Sequence, residues 1–359
     1  MMREATEASM WCSIPAATID SGRQLMAPLK KPAPTPRTNS RFDYVDKLPS
    51  NVPPIEHPFS ASSPSDFGGP AEATYYFPIE VMPNSQDNAT GVFFPAGFKF
   101  PDKINVILYF HGHKKDEFKT INEYWSGKLH DLYLREYINA TGKQAVLIAP
   151  TMGAAPGSSL NPGMGIFANS GGADDFLAEV TKWICKHVPQ YADKKRRPEI
   201  GNIVLAGHSG AGGILSQQVR TMRSPVCEVW GFDTMYGQGS RTIEVKGKKK
   251  RVDIDVIGEW LESALSHHSL VGFQTLPGIL PIPIPKLVPT TRFYFYWVGF
   301  DDPVKGRSLE LQAKIRQMGL YNVEILESSR VSGLKYDWDN HFGTVSQNFK
   351  KRVADAPCF

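Results

Sequence analysis

The most constraining stretch of the chain is Ile203-Val204-Leu205-Ala206 running directly into Gly207-His208-Ser209-Gly210-Ala211-Gly212-Gly213. A short β-branched and apolar run, then glycines, then the helical spacing of residues 214–222 predicts a strand, a tight turn and a helix. Small residues around Ser209 permit the strained backbone such a turn requires and leave its hydroxyl at the top of the strand. The pattern is G-x-S-x-G with Ala211 in the last position, a change small enough sterically for the turn to survive. A strand that feeds a helix in this way belongs in an α/β fold with a mainly parallel sheet.

The rest of the chain agrees with that expectation. From about residue 73, strand-like runs are expected at 75–81, 91–98, 104–110, 145–150, 203–206, 227–232, 292–298 and 323–327. Helical spacing is expected at 173–188, 214–222, 252–265, 308–318 and 343–353. The run at 104–110 is apolar almost throughout, as suits a parallel strand buried on both faces. Upstream, Pro28, Pro32, Pro34, Pro36, Pro49, Pro53, Pro54 and Pro58 oppose helix and interior strand. Residues 1–70 are therefore read as a Pro-rich extension or linker, and 71–359 as one catalytic domain.

Composition excludes little but usefully. No apolar run approaches the ~18 residues of a membrane span. The net charge of +4 is small, and the basic runs Lys194-Lys195-Arg196-Arg197 and Lys248-Lys249-Lys250-Arg251 fall at element ends. Solvated surface explains them better than a nucleic-acid partner. No secretory leader is legible, so a cytoplasmic location is the expectation. Cys12, Cys185, Cys227 and Cys358 show no C-x-x-C spacing, which argues against a zinc knuckle or a dithiol redox motif. Cys185 and Cys227 read as buried thiols, while Cys12 and Cys358 can pair only if the terminal segments dock.

A serine hydroxyl at its free pKa is a weak nucleophile and needs a base within hydrogen-bond reach, itself oriented by a third group. His341, in Asp337-Trp338-Asp339-Asn340-His341-Phe342-Gly343, follows the last expected strand and is read as that base. His208 is the variable residue of the turn. Two acids compete to orient the imidazole. Asp302 follows strand 292–298 in Gly299-Phe300-Asp301-Asp302-Pro303-Val304, and Asp233 follows strand 227–232 in Gly231-Phe232-Asp233-Thr234. The order and local spacing favour Asp302, with Asp233 the alternative and Asp301 a third candidate.

Phe110-His111-Gly112-His113 closes the 104–110 strand. Backbone N–H donors there stabilise the oxyanion of a tetrahedral intermediate, so Gly112 and His113 are the expected loop donors, and the N–H of Gly210 the other. A rival reading takes His111, His113 and Asp116 as metal ligands of a metal-dependent hydrolase. It leaves the serine turn unexplained.

The Gly-His-Ser-Gly-Ala-Gly-Gly and Phe-His-Gly-His segments, with the acids and His341 in this order, resemble the α/β-hydrolase superfamily over about residues 75–359, its esterases and lipases in particular. The resemblance implies an α/β-hydrolase fold with a mostly parallel eight-stranded sheet flanked by helices, acyl-enzyme chemistry on Ser209 and no cofactor. Carboxylic ester hydrolysis is the expected activity, on a small-molecule or acyl ester substrate. An amidase or peptidase would use the same triad, and a non-catalytic binding module would keep only the fold. The segment 273–289 is too rich in proline for helix or central strand and too apolar for free exposure. It is read as a lid or wall beside an acyl pocket.

Overall fold

The computed structural model describes residues 42–56, 73–82, 88–112, 120–125, 127, 132–152, 164–193, 195–235, 238–245, 248–255, 272–274, 284–286, 291–298, 303–317, 322–330 and 338–359. Its strands are β1 (Ile55–Glu56), β2 (Ala73–Pro78), β3 (Ala89–Phe94), β4 (Lys103–Phe110), β5 (Ala145–Pro150), β6 (Glu199–His208), β7 (Val226–Phe232), β8 (Gln238–Val245), β9 (Lys248–Asp255), β10 (Gly272–Gln274), β11 (Ile284–Lys286), β12 (Arg292–Trp297) and β13 (Val323–Glu327). Its helices are α1 (Ile121–Tyr124), α2 (Leu134–Thr141), α3 (Gly172–His187), α4 (Pro189–Ala192), α5 (Gly212–Thr221), α6 (Pro303–Gln317) and α7 (Trp338–Asp355).

The main sheet runs β1-β2-β3-β5-β4-β6-β7-β12-β13. From β5 to β13 every neighbouring pair is parallel, while β1, β2 and β3 are antiparallel additions at one edge. This is the mostly parallel, helix-flanked α/β sheet expected from the sequence, with nine strands instead of eight.

Val106, Ile107, Leu108, Tyr109 and Phe110 of β4 are all inaccessible to solvent, as a central parallel strand requires. Successive residues serve opposite faces. Tyr109 meets Phe349 of α7, whereas Phe110 meets Phe167, which in turn meets Phe176 of α3. The sheet is thus covered on both sides.

The extra strand β1 comes from within the stretch read as an extension. Tyr44, Leu48 and Val52 pack into the core. Glu56 accepts from the buried Arg135 guanidinium at 2.8 Å and from the Tyr76 hydroxyl at 2.6 Å. Arg135 also lies over the Trp125 ring, 5.3 Å from its centroid. A two-residue strand behind Pro53 and Pro54 has no period to read, so only these long-range partners reveal it.

Three further expectations change. The helix expected at 252–265 begins instead as strand: β9 pairs with β8 in a two-stranded ribbon, and Val252 and Ile254 alternate with charged residues at period two. Residues 256–271 lie outside the description. Within 273–289, β10 and β11 form a second small ribbon, and the intervening residues 275–283, on which a lid would depend, lie outside the described residues. Finally, α7 begins at Trp338, five residues before the helix expected from residue 343, so His341 sits in a helical first turn and not in a connecting loop.

Cys227 is not a free thiol. It forms a disulfide with Cys358, joining the start of β7 to the C-terminal segment across 131 residues of chain. The tail is docked independently, because the Asn202 side-chain amide donates to the Cys358 carbonyl at 2.7 Å and Lys143 Nζ reaches the Ala356 and Phe359 carbonyls. Cys185 remains free. No described helix is long and apolar enough to cross a membrane.

Candidate active site

The strand registers carry the site. In the parallel ladders Phe110 of β4 pairs with Gly207 of β6, and His208 of β6 pairs with Phe232 of β7. Two residues past Phe110 is Gly112, one past His208 is Ser209, and one past Phe232 is Asp233. These three residues therefore leave the sheet at one level, at the C-terminal ends of three adjacent strands, which is where open α/β sheets build their sites.

Two of them share an unusual backbone. Ser209 has φ 53° and Asp233 has φ 50°, left-handed values costly for a residue with a Cβ. Such strain persists only when the surroundings over-determine it. At Ser209, the strand behind and α5 ahead force the chain to turn within the short helical segment Ser209–Ala211. Gly212 is required just after it, because a Cβ there would collide with the Thr234 carbonyl. Ala211, replacing the last glycine of the pattern, is fully buried and the turn is kept.

The loop after β4 lies against the serine. A Cβ added to Gly112 would sit 2.6 Å from Ser209 Cβ and 3.2 Å from Ser209 Oγ, so only glycine allows this approach. His111 fixes the loop: its Nε2 accepts from the Met152 N–H at 2.8 Å, and its Nδ1–H donates to the Gly112 carbonyl at 2.8 Å. With both ring nitrogens engaged in these bonds, His111 offers no lone pair to a cation in this arrangement. His113 and Asp116 lie outside the described residues. Among the described residues no group of His, Cys, Asp and Glu gathers as a metal site.

His341 hydrogen-bonds through Nδ1 to Asp233 Oδ2 at 2.5 Å, each side chain 2% exposed. Asp233 is itself held by its own N–H donating to the Tyr296 carbonyl of β12 at 2.7 Å. The structure thus places the alternative acid, Asp233, on the imidazole. Asp302 and Asp301 fall outside the described residues. The contact with Nδ1 leaves Nε2 as the nitrogen that can exchange a proton with a nucleophile. The His341 ring also lies 4.4 Å, centroid to centroid, from that of His208, the residue preceding Ser209, so the imidazole stands beside the serine turn.

Chemically, the arrangement offers a hydroxyl on a strained turn, an imidazole oriented by a buried carboxylate, and the backbone of Gly112 and Gly210 flanking the hydroxyl. His208, the variable residue of the turn, is buried and packs against the His341 ring, contacts that no spacing rule reveals.

No family model matches the chain, and no curated protein sequence matches it. Solved structures do. An IroE-like serine hydrolase from Shewanella oneidensis is 12% identical, aligning 74% of this chain with 76% of that one at a TM-score of 0.39. A fluorophosphonate-binding serine hydrolase of Staphylococcus aureus is 11% identical over 79% of this chain and 98% of its own, with a TM-score of 0.41. An S-formylglutathione hydrolase from Agrobacterium tumefaciens is 13% identical over 80% and 96%, with a TM-score of 0.39. At such identities the function of this chain rests on its own side chains.

Proposed function

We propose that the chain is a serine hydrolase of the α/β-hydrolase type that cleaves carboxylic esters through an acyl-enzyme on Ser209. The observation that carries the reading is the convergence of Gly112, Ser209 and Asp233 at one level of adjacent strand ends, with His341 bonded to Asp233 at 2.5 Å. In this reading Asp233 keeps the proton of His341 on Nδ1, and Nε2 takes the proton of Ser209 as Oγ attacks the ester carbonyl. The N–H groups of Gly112 and Gly210 receive the developing oxyanion, a contribution of about 3 kcal/mol each to the transition state. Collapse expels the alcohol, which takes the proton from Nε2. Water, deprotonated by the same nitrogen, then attacks the acyl-enzyme, releasing the carboxylic acid and restoring Ser209.

Hydrolysis of p-nitrophenyl esters from acetate to palmitate, with labelling by a fluorophosphonate probe, tests the reading. Turnover and labelling by the wild type, both abolished in Ser209→Ala, support it. Turnover that survives Ser209→Ala overturns it. Faster turnover of anilides than of the matching esters would move the activity to the amidase class while leaving the serine chemistry intact.

A further inference from the structure

His208 takes no part in the chemistry above, yet it is 1% exposed and sits directly before the nucleophile. Its ring packs against that of His341 and against Phe342, the latter at 4.8 Å between centroids. Its Nε2 lies 3.3 Å from the backbone carbonyl oxygen of His341, and its Nδ1 lies 3.1 Å from the Tyr124 hydroxyl. A carbonyl oxygen only accepts, so Nε2 carries a proton, and in the neutral form of the ring Nδ1 accepts from Tyr124. With its own proton given to His208, the Tyr124 oxygen accepts from the Tyr109 hydroxyl 3.0 Å away. Burial holds both phenols above the ordinary tyrosine range, which keeps them as hydroxyls. Tyr109 on β4, Tyr124 on α1, His208 on β6 and His341 on α7 therefore form one directed chain, each group donating to the next.

We infer that His208 is a positioning residue for the base: its Nε2–H on the His341 carbonyl, with the stacked ring, pins the first turn of α7 so that the imidazole keeps its place relative to Ser209. The inference rests on reading Ser209 and His341 as nucleophile and base. The Asp233 contact holds the far end of the His341 side chain but not the backbone from which it hangs. That backbone belongs to a helix end, the part of a helix with the fewest internal partners and the first to fray. Small displacements of a reacting group cost rate steeply, so a hydrogen bond made to the backbone of the base is felt in turnover before it is felt in substrate binding.

Three variants test this. His208→Gln keeps an amide N–H near the Nε2 position, while His208→Leu fills the space and donates nothing. Tyr124→Phe removes the donor to Nδ1, so the ring can take its proton there and lose the bond to His341. With p-nitrophenyl acetate, His208→Leu is expected to lower kcat about tenfold at nearly unchanged KM, the loss of one buried hydrogen bond. His208→Gln recovers most of that loss, and Tyr124→Phe falls between. The far-downfield proton resonance of the His341 Nδ1–H, which reads the imidazole without turnover, shifts or broadens in His208→Leu and is kept in His208→Gln. An unchanged kcat and resonance in His208→Leu overturn the inference. So do equal losses in the Gln and Leu variants that merely follow their thermal unfolding temperatures. Failure of the underlying reading shows separately, as activity that survives Ser209→Ala.

Discussion

Replacing Asp233 by Asn decides which acid serves the base. The substitution keeps the shape of a side chain that is 2% exposed and within 2.5 Å of His341 Nδ1. An amide can turn its NH2 toward Nδ1, which then holds no proton, and the remaining proton moves to Nε2, the nitrogen that must accept from Ser209. A base locked in the wrong tautomer loses about 10⁴ in kcat, or about 5.4 kcal/mol at 1.36 kcal/mol per decade. A solvent-screened pair would contribute at most about 1 kcal/mol, less than tenfold, so the size of the effect separates an orienting acid from an incidental one. Initial rates on p-nitrophenyl acetate give kcat and KM for Asp233→Asn, Asp302→Asn and Asp301→Asn, with thermal unfolding measured alongside. The expected result is a loss near four decades for Asp233→Asn and less than about threefold for the other two. Asp233→Asn retaining more than a tenth of wild-type kcat while Asp302→Asn collapses would refute the reasoning and return the role to Asp302.

Gly112→Ala should lower kcat by about a hundredfold and cost about 1–3 kcal/mol of stability, because the new methyl group lies 2.6 Å from Ser209 Cβ and must displace the serine turn; steady-state kinetics and a melting curve check this. Reducing the Cys227–Cys358 disulfide, or the Cys227→Ser variant, should cost about 5 kcal/mol from the chain entropy of a 131-residue loop, read as a lowered denaturation midpoint in the presence of dithiothreitol. An unchanged midpoint would show that the docked tail alone holds the C-terminus. Burial pushes the Glu228 carboxyl above its usual value of 4.5, although Trp230 donates to it at 2.7 Å. A raised folded-state pKa gives stability that is full below the unfolded value and lost as pH rises through the folded one. Glu228→Gln, which keeps an acceptor for Trp230, should therefore flatten the decline in urea midpoint as pH rises from 4 toward neutrality.

The strands that build the centre of the sheet were legible because burial on both faces leaves runs such as 104–110 and 145–150 with almost nothing polar in them. The serine turn was legible for a local reason too, since the small residues that permit it cluster within a few positions of Ser209. His341 was legible by its place after the last strand, although its helix starts earlier than the apolar spacing suggests: the first turn of α7 carries the polar residues Asp339, Asn340 and His341, which hide the period. The start of the helix expected at 252–265 falls instead on β9, where Val252 and Ile254 alternate with charged residues, and only pairing with β8 decides between the two periods.

What the sequence by itself determined was the fold class, the glycine turn around Ser209 and the histidine that follows the last strand, all of which depend on residues close together in the chain or on their order. Tertiary structure alone decided the rest. Asp233 and Asp302 both fall between Ser209 and His341, so the chain order cited for Asp302 fits Asp233 equally; the β6–β7 register brings Asp233 level with Ser209, and its carboxylate bonds to His341. The Cys227–Cys358 bond, the edge strand at Ile55–Glu56 and the hold of His208 on His341 join residues 131, 20 and 133 positions apart, measured for the strand by the Glu56–Tyr76 bond. Contacts across such separations exist only once the chain has closed on itself, and no local pattern of residues encodes them.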